Sequence, residues 1–218
     1  MKIGILALQG AFREHEEMLY KINPEIKCIE IRQKNDLEKI DGIILPGGES
    51  TVQGKLLKHL DMLKILQEKI KDGLPVMATC AGLILLAEKI DNDSNTYLAT
   101  LPVTVRRNAY GRQLASFKTT AEFGNIGNIP MTFIRAPYIT DVKNDVEILA
   151  ELNNKIIAVR YKNQLAMSFH PELDDDYHVH RSFLNMVEQK DYPLSDKHNV
   201  LFRQGIFFIS INYSTFSC

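Results

Sequence analysis

The chain has 218 residues, 24% of them charged and 45% hydrophobic, with a formal net charge of -1. That length suits one domain with a sizeable core, and the near-neutral charge gives no reason to expect a nucleic-acid or membrane-surface partner. Its three cysteines, Cys28, Cys80 and Cys218, are odd in number and widely spaced, so they make no disulfide framework and point to a reducing, cytoplasmic setting. No apolar run approaches the ~18 residues of a membrane span.

In chain order, short apolar runs alternate with amphipathic stretches. "KIGILAL" from Lys2 reads as a buried strand; it is too short for a signal peptide, and Gln9, Arg13 and Glu14 follow at once. "FREHEEMLYKI" reads as a helix, and "IKCIEI" and "GIILP" as further strands. "VQGKLLKHLDMLKILQEKIK" carries Leu and Ile at helical spacing and predicts one helix that ends at Gly73. "PVMAT" predicts another strand and "AGLILLAEKI" another helix. This alternation argues for an α/β fold with a mostly parallel sheet covered on both faces.

After Asp91 the texture changes. "TYLATLPVTVRRN", "GRQLASFKTT", "MTFIRAP", "VEILAEL" and "KIIAVRYKNQLAMSFHPE" read as strands with short turns, and Lys162-Asn163 closes a hairpin. "DYHVHRSFLNMVEQK" reads as a closing helix, which sets the domain at residues 1–190. Residues 191–218 form a C-terminal extension whose apolar run, Ile206 to Ile211, has no evident partner. An added strand, a flexible tail and a reading-frame artefact stay open for it.

Three stretches carry chemistry. In "PVMATCAGLILLA", Cys80 sits between a strand and a helix and is flanked by small residues. Such a turn exposes a nucleophile and aims the first helical N–H groups at the same point. The elbow pattern has glycine two residues before the nucleophile; here that residue is Ala78. In "SFHPEL", Pro171 disfavours helix at His170. An extended chain then leans His170 and Glu172 the same way, so a base and its orienting acceptor meet. In "LPGGES", paired glycines allow close backbone approach to a ligand, with Ser50 or Thr51 as the cap of the next helix. No G-K-[ST] follows, which argues against a nucleotide.

Arg107, Arg112 and Arg135 stand in apolar or turn-like surroundings and suit a carboxylate, whereas Arg106 reads as a solvated charge. His178 and His180 in "DDDYHVH" fit no common metal spacing, and the aspartates read as the acidic start of a helix. Cys28 reads as core, and Cys218 as incidental.

Together, "GILALQGAFREH", "LPGGEST", "TCAGLILLA", "RRNAYGRQ", "FIRAPYI" and "FHPEL" resemble, in the same order, one branch of the class I glutamine amidotransferases. That branch comprises the glutaminase subunits of pyridoxal 5'-phosphate synthase, and the resemblance spans about residues 1 to 190. It implies a three-layer sandwich with a mostly parallel central sheet, plus antiparallel strands in the second half. It implies hydrolysis of L-glutamine with Cys80 as nucleophile, His170 as base and Glu172 as its orienter. Gly48, Glu49, Ser50, Arg107, Ile134 and Arg135 would hold glutamine, and backbone N–H groups at Gly48 and Ala81 would form the oxyanion hole. Gln9, Phe12 and Arg13 would face a barrel-shaped synthase subunit; no cofactor or metal is implied. Ala78 and Ala11 depart from the family's usual glycine and frequent aspartate. Other readings kept open are the histidine-pathway glutaminase, an inactive scaffold of the same fold and a cysteine peptidase.

Overall fold

In the computed structural model, residues 1–91, 93–107 and 116–190 are described. The extension from residue 191, with Cys218, and Arg112 lie outside the described residues. Five strands, β2 (Lys27–Ile31), β1 (Lys2–Leu6), β3 (Gly42–Leu45), β4 (Val76–Thr79) and β12 (Gln164–Met167), run parallel in that spatial order. The sheet continues through β11 (Lys155–Tyr161), β9 (Tyr138–Val142), β6 (Leu101–Arg106) and β5 (Ala87–Ile90), with β10 (Glu147–Leu152) beside β11. The β12–β11, β11–β9 and β9–β6 pairings are antiparallel. β7 (Ser116–Phe123) and β8 (Gly127–Ile134) form a separate antiparallel ribbon.

The central strands are largely apolar because both of their faces are covered. Ile43 and Leu45 join a core with Leu57, Leu66 and Leu85, while Ile44 between them joins a second core with Leu19, Phe169 and Phe183. The first core packs α2 (Ser50–His59), α3 (Leu63–Lys71) and α4 (Ala81–Leu86); the second packs α1 (Phe12–Ile22) and α5 (His178–Lys190). Two helical layers thus sandwich the sheet, as the α/β reading expected. Successive strand residues supply opposite layers, the period-2 rule of extended chain. The Lys162-Asn163 hairpin is also present, with Tyr161 opposite Gln164 and Lys162 at φ 51°.

Three elements differ from the sequence expectation. The helix expected from Val52 to Lys71 is two helices, α2 and α3. Asp61 at φ 55° turns the chain, the Met62 N–H donates to Leu57 O at 2.9 Å, and the Asp61 N–H donates to Lys58 O at 3.2 Å. This is a Schellman stop with aspartate in place of glycine. Periodicity hides it because Met62, Leu66 and Ile70 continue the buried stripe. The helix after Cys80 ends at Leu86, and Ala87–Ile90 becomes β5, parallel to β6. Every residue of α4 is buried, so an all-apolar run there carried no period to read. Finally, β9 had no counterpart in the sequence reading, yet it joins β11 to β6.

A bulky β-branched residue tolerates φ near 55° poorly, so Asp61→Val should lose about 1–2 kcal/mol of stability. Asp61→Gly should stay close to wild type. Urea unfolding of both variants checks this, and equal losses would contradict the Schellman reading.

Candidate active site

Four parallel strands end on one rim: β1 before Gln9, β3 before Pro46, β4 before Cys80 and β12 before His170. The carboxyl ends of such strands are where open α/β sheets place ligands. A cleft of 590 Å³ opens there, and its lining includes Gln9, Gly48, Cys80, Arg107, Arg135 and His170. Cys80 sits between β4 and α4 at φ 47°, ψ -98°, a sparsely populated region for a residue with a side chain. The turn is held on both sides. The Cys80 N–H donates to Met167 O at 2.9 Å, and Gly82 packs so closely on Leu45 that a Cβ there would overlap its backbone. Ala78, at the departing elbow position, is fully buried and pairs with Leu45 and Ala166 in the sheet. The elbow therefore forms with alanine at that place. The Cys80 thiol is 7% exposed, and its Sγ lies 3.8 Å from Ile134 O.

His170 and Glu172 meet as expected: His170 Nδ1 is 2.7 Å from Glu172 Oε1. The backbone that brings them together differs from the extended chain read from the sequence. Pro171–Leu173 form a single 3₁₀ turn with proline at its start. Asp174 fastens this turn to β8, accepting from the Thr132 N–H at 3.0 Å and from Thr132 Oγ1 at 2.7 Å; the His170 N–H in turn donates to Thr132 O at 2.8 Å. Of the aspartates read as an acidic helix start, Asp176 has that role, accepting from the His178 N–H at 2.9 Å. Asp174 has the clamping one.

Burial opposes a charge on His170. Contact with Cys80 and the hydrogen bond and charge of Glu172 outweigh it, and the ring is pushed up to about 10. Burial also opposes the Glu172 charge, but His15 and His170 hold the carboxyl below its ordinary range. The Nε2 atom of His170 is buried without a hydrogen-bond partner among the described residues. By contrast, burial pushes the Cys28 thiol up to about 11, which keeps it a poor nucleophile.

The glycine loop packs against the base and the start of α1. A Cβ on Gly47 would overlap the His170 ring, so only glycine lets the ring lie there. The Gly47 carbonyl accepts from the Ala11 N–H at 3.2 Å. Gln9 Oε1 accepts from the Glu49 N–H at 2.7 Å, and Gln53 Nε2 donates to Gln9 O at 2.9 Å. The cap of α2 is Glu49, which accepts from the Thr51 N–H at 3.3 Å, rather than Ser50 or Thr51. Ser50 is buried beside it. Phe12 packs on the second core under the Arg32 guanidinium, and Arg13 is exposed.

Arg107 lies at the cleft with Nη1 3.1 Å from Thr51 Oγ1 and Nη2 3.4 Å from Asp93 Oδ2. Arg135, at φ 44°, and Ile134 also line the cleft. Arg106 instead pairs with Asp91, its Nε 2.6 Å from Oδ2. The histidines read as a weak metal pair are separated: His178 faces Asp176, and His180 turns inward to His15 at 2.9 Å. His15 escaped the sequence reading. The signal was a polar residue on the buried face of α1, three and four positions before Met18 and Leu19.

The chain matches a family profile described as the SNO glutamine amidotransferase family over residues 5–189. It is 57% identical over 199 residues to a Desulfitobacterium hafniense protein named pyridoxal 5'-phosphate synthase subunit PdxT, covering 90% of this chain and 99% of that one. A Streptococcus pneumoniae protein of the same name is 52% identical over 194 residues, covering 87% and 99%. Among solved structures, one described as a glutamine amidotransferase superposes with a TM-score of 0.81 at 40% identity, covering 85% of this chain and 98% of that one. A putative GMP synthase subunit from Thermoplasma acidophilum, at 17% identity and TM-score 0.63 over 88% and 96% of the two chains, shares the fold. With the profile spanning most of its length and such relatives on either side, the chain belongs to the SNO glutamine amidotransferase family.

Proposed function

We propose that this protein is the glutaminase subunit of a pyridoxal 5'-phosphate synthase. It hydrolyses L-glutamine to L-glutamate and ammonia and delivers the ammonia to a synthase subunit, a barrel in this reading. The observation that carries the chemistry is the convergence of the Cys80 elbow and the His170–Glu172 pair on one cleft. The pathway assignment rests on relatives above 50% identity whose names state that assembly. A free nucleophilic thiol needs reducing conditions, so we place the protein in the cytoplasm.

In this mechanism the Cys80 thiolate attacks the side-chain amide carbon of glutamine, and the carbonyl oxygen becomes an oxyanion. The Ala81 and Gly48 N–H groups receive that charge. His170, cationic at neutral pH, gives its Nε2 proton to the leaving nitrogen, and ammonia departs from a thioester. Water then attacks the thioester carbon while His170 takes the proton, and collapse returns Cys80 with glutamate released. Glu172 holds the ring through Nδ1 and transfers no proton itself. Gly48, Glu49, Ser50 and Ile134 shape the glutamine subsite, and Arg107 and Arg135 supply cations for the α-carboxylate. Gln9, Phe12 and Arg13 make the synthase-facing surface. Ammonia released into bulk water would be protonated, which gives the docked partner its purpose.

Cys80→Ala should abolish glutamate release by the reconstituted complex with an unchanged fold, whereas Cys28→Ala should keep it. A glutamine-mimicking electrophile should label Cys80 alone, read by mass spectrometry after digestion. Turnover in Cys80→Ala would remove the nucleophile assignment.

Arg135→Ala should raise the glutamine KM about 10- to 100-fold, the weight of one lost charge-assisted contact, and leave synthase docking intact. Arg13→Ala should do the reverse, weakening docking in calorimetry with KM near wild type. Matching effects of both variants on both readouts would show that subsite and docking surface are not separate.

Unfolded, His170 has an ordinary pKa of about 6.5; folded, it lies at about 10. Its contribution to stability is thus full below the unfolded value and is lost as pH rises through the folded one. Urea stability of the isolated protein should fall from about pH 7 to about pH 10, and His170→Asn should flatten that fall. Parallel profiles for the two proteins would contradict a cationic ring.

A further inference from the structure

Behind the Cys80–His170–Glu172 group lies a second buried set that the reaction does not consume. His15 and His180 are fully buried, and His15 Nδ1 lies 2.9 Å from His180 Nε2. On its other side, His15 Nε2 lies 3.3 Å from Thr79 Oγ1 and 3.4 Å from Glu172 Oε2. That second carboxylate oxygen is buried and makes no hydrogen bond among the described residues; His15 Nε2, whose hydrogen bond is with Thr79, is the polar atom that faces it. His15 comes from α1, Thr79 from the end of β4 next to Cys80, and His180 from α5. Thr79 and His180 thus hold His15 from two sides, and His15 faces the back of the carboxylate.

The tautomers follow from hydrogen-bond chemistry. A lone pair on His15 Nε2 would face a carboxylate oxygen, which is repulsive, so Nε2 carries the hydrogen and donates. Nδ1 is then an acceptor, and His180 Nε2–H is the donor that meets it. Burial keeps His15 neutral despite Glu172, and burial and His15 keep His180 neutral. His15 therefore acts on Glu172 as a fixed N–H dipole. A buried carboxylate with one oxygen bonded to His170 and the other facing only apolar groups would swing or take up a proton; the His15 N–H dipole, 3.4 Å from that oxygen, opposes both.

We infer that His15 is a positioning residue, holding the second oxygen of Glu172 so that the first stays aimed at His170 Nδ1. This rests on the proposed role of Glu172 as orienter of the base. A residue acting through the orienter changes the chemical step more than the binding of glutamine.

The test uses the reconstituted complex with its synthase subunit, with kcat and KM for glutamate release and the melting temperature measured for each variant. His15→Leu should lower kcat about 10- to 100-fold, the range for leaving a buried polar group with nothing polar facing it, with KM changed less than about 3-fold. His15→Gln, whose amide nitrogen reaches the place of Nε2, should recover most of that loss. Wild-type kcat in His15→Leu, or a change confined to KM, overturns the inference. Should His15→Leu fail to fold, His15→Gln and His15→Asn decide the matter, because the shorter Asn amide stops short of Glu172. Activity in Gln with loss in Asn supports the role, and equal activity in both overturns it. Glu172→Gln is run in parallel: full activity there overturns the reading of Glu172 itself, and the inference with it, whereas loss there with normal His15→Leu overturns the inference alone.

Discussion

The bond between His170 and Glu172, 2.7 Å long and buried, is the constraint around which the strand ends are arranged. A carboxylate removed from water is tolerable only if its charge is compensated. This requirement accounts for the 3₁₀ turn of Pro171–Leu173, for the histidine on α1 behind it and for the glycine at position 47 that admits the ring. Each is a concession by a different element to one charge. The left-handed Cys80 is a further concession, made locally by the elbow and held by the packing of Gly82 on Leu45.

Rigid supports surround a thiol whose own hydrogen bonding is weak. The Cys80 sulfur is 3.8 Å from a carbonyl, and His170 Nε2 is unpaired among the described residues. Geometry of that kind is preorganised on the protein side and incomplete on the substrate side, which suits a site whose strongest contacts form only as charge develops. The glycine loop joins this site to the chain's N-terminal segment: Gln9 holds the Glu49 amide, and Ala11 holds the Gly47 carbonyl. Whatever moves the start of α1 also moves the loop.

Much of this was legible in the sequence, for separable reasons. The parallel half announced itself because doubly covered strands must be nearly continuously apolar, as "GIIL" and "VMA" are. The Cys80 turn and the His170–Glu172 pair were visible because small residues and proline restrict the backbone in known ways. Legibility failed where a local signal was masked by a longer one. Asp61 ends a helix inside an unbroken apolar stripe, and α4 is too uniformly apolar to have a readable end. The Pro171 turn produced the expected meeting by another backbone route. His15 and Asp174 escaped because their partners, Glu172 and Thr132, are distant in sequence, and only tertiary packing brings them together.

Thr132 repays a last look. Its carbonyl accepts from His170, while its N–H and hydroxyl donate to Asp174, so one residue of β8 is sewn to the turn carrying the base. The ribbon of β7 and β8 pairs without interruption from Ser116–Ile134 at the cleft to Phe123–Gly127 at its far end. Eight paired rows span the ribbon, ends included, roughly 24 Å at strand spacing. The ribbon packs along the second core through Phe123, Ile129, Met131 and Phe133, and its turn leaves Asn125 exposed. A fluorophore attached at Asn125 would therefore sit on the same ribbon as the clamp on the base while leaving the cleft unobstructed.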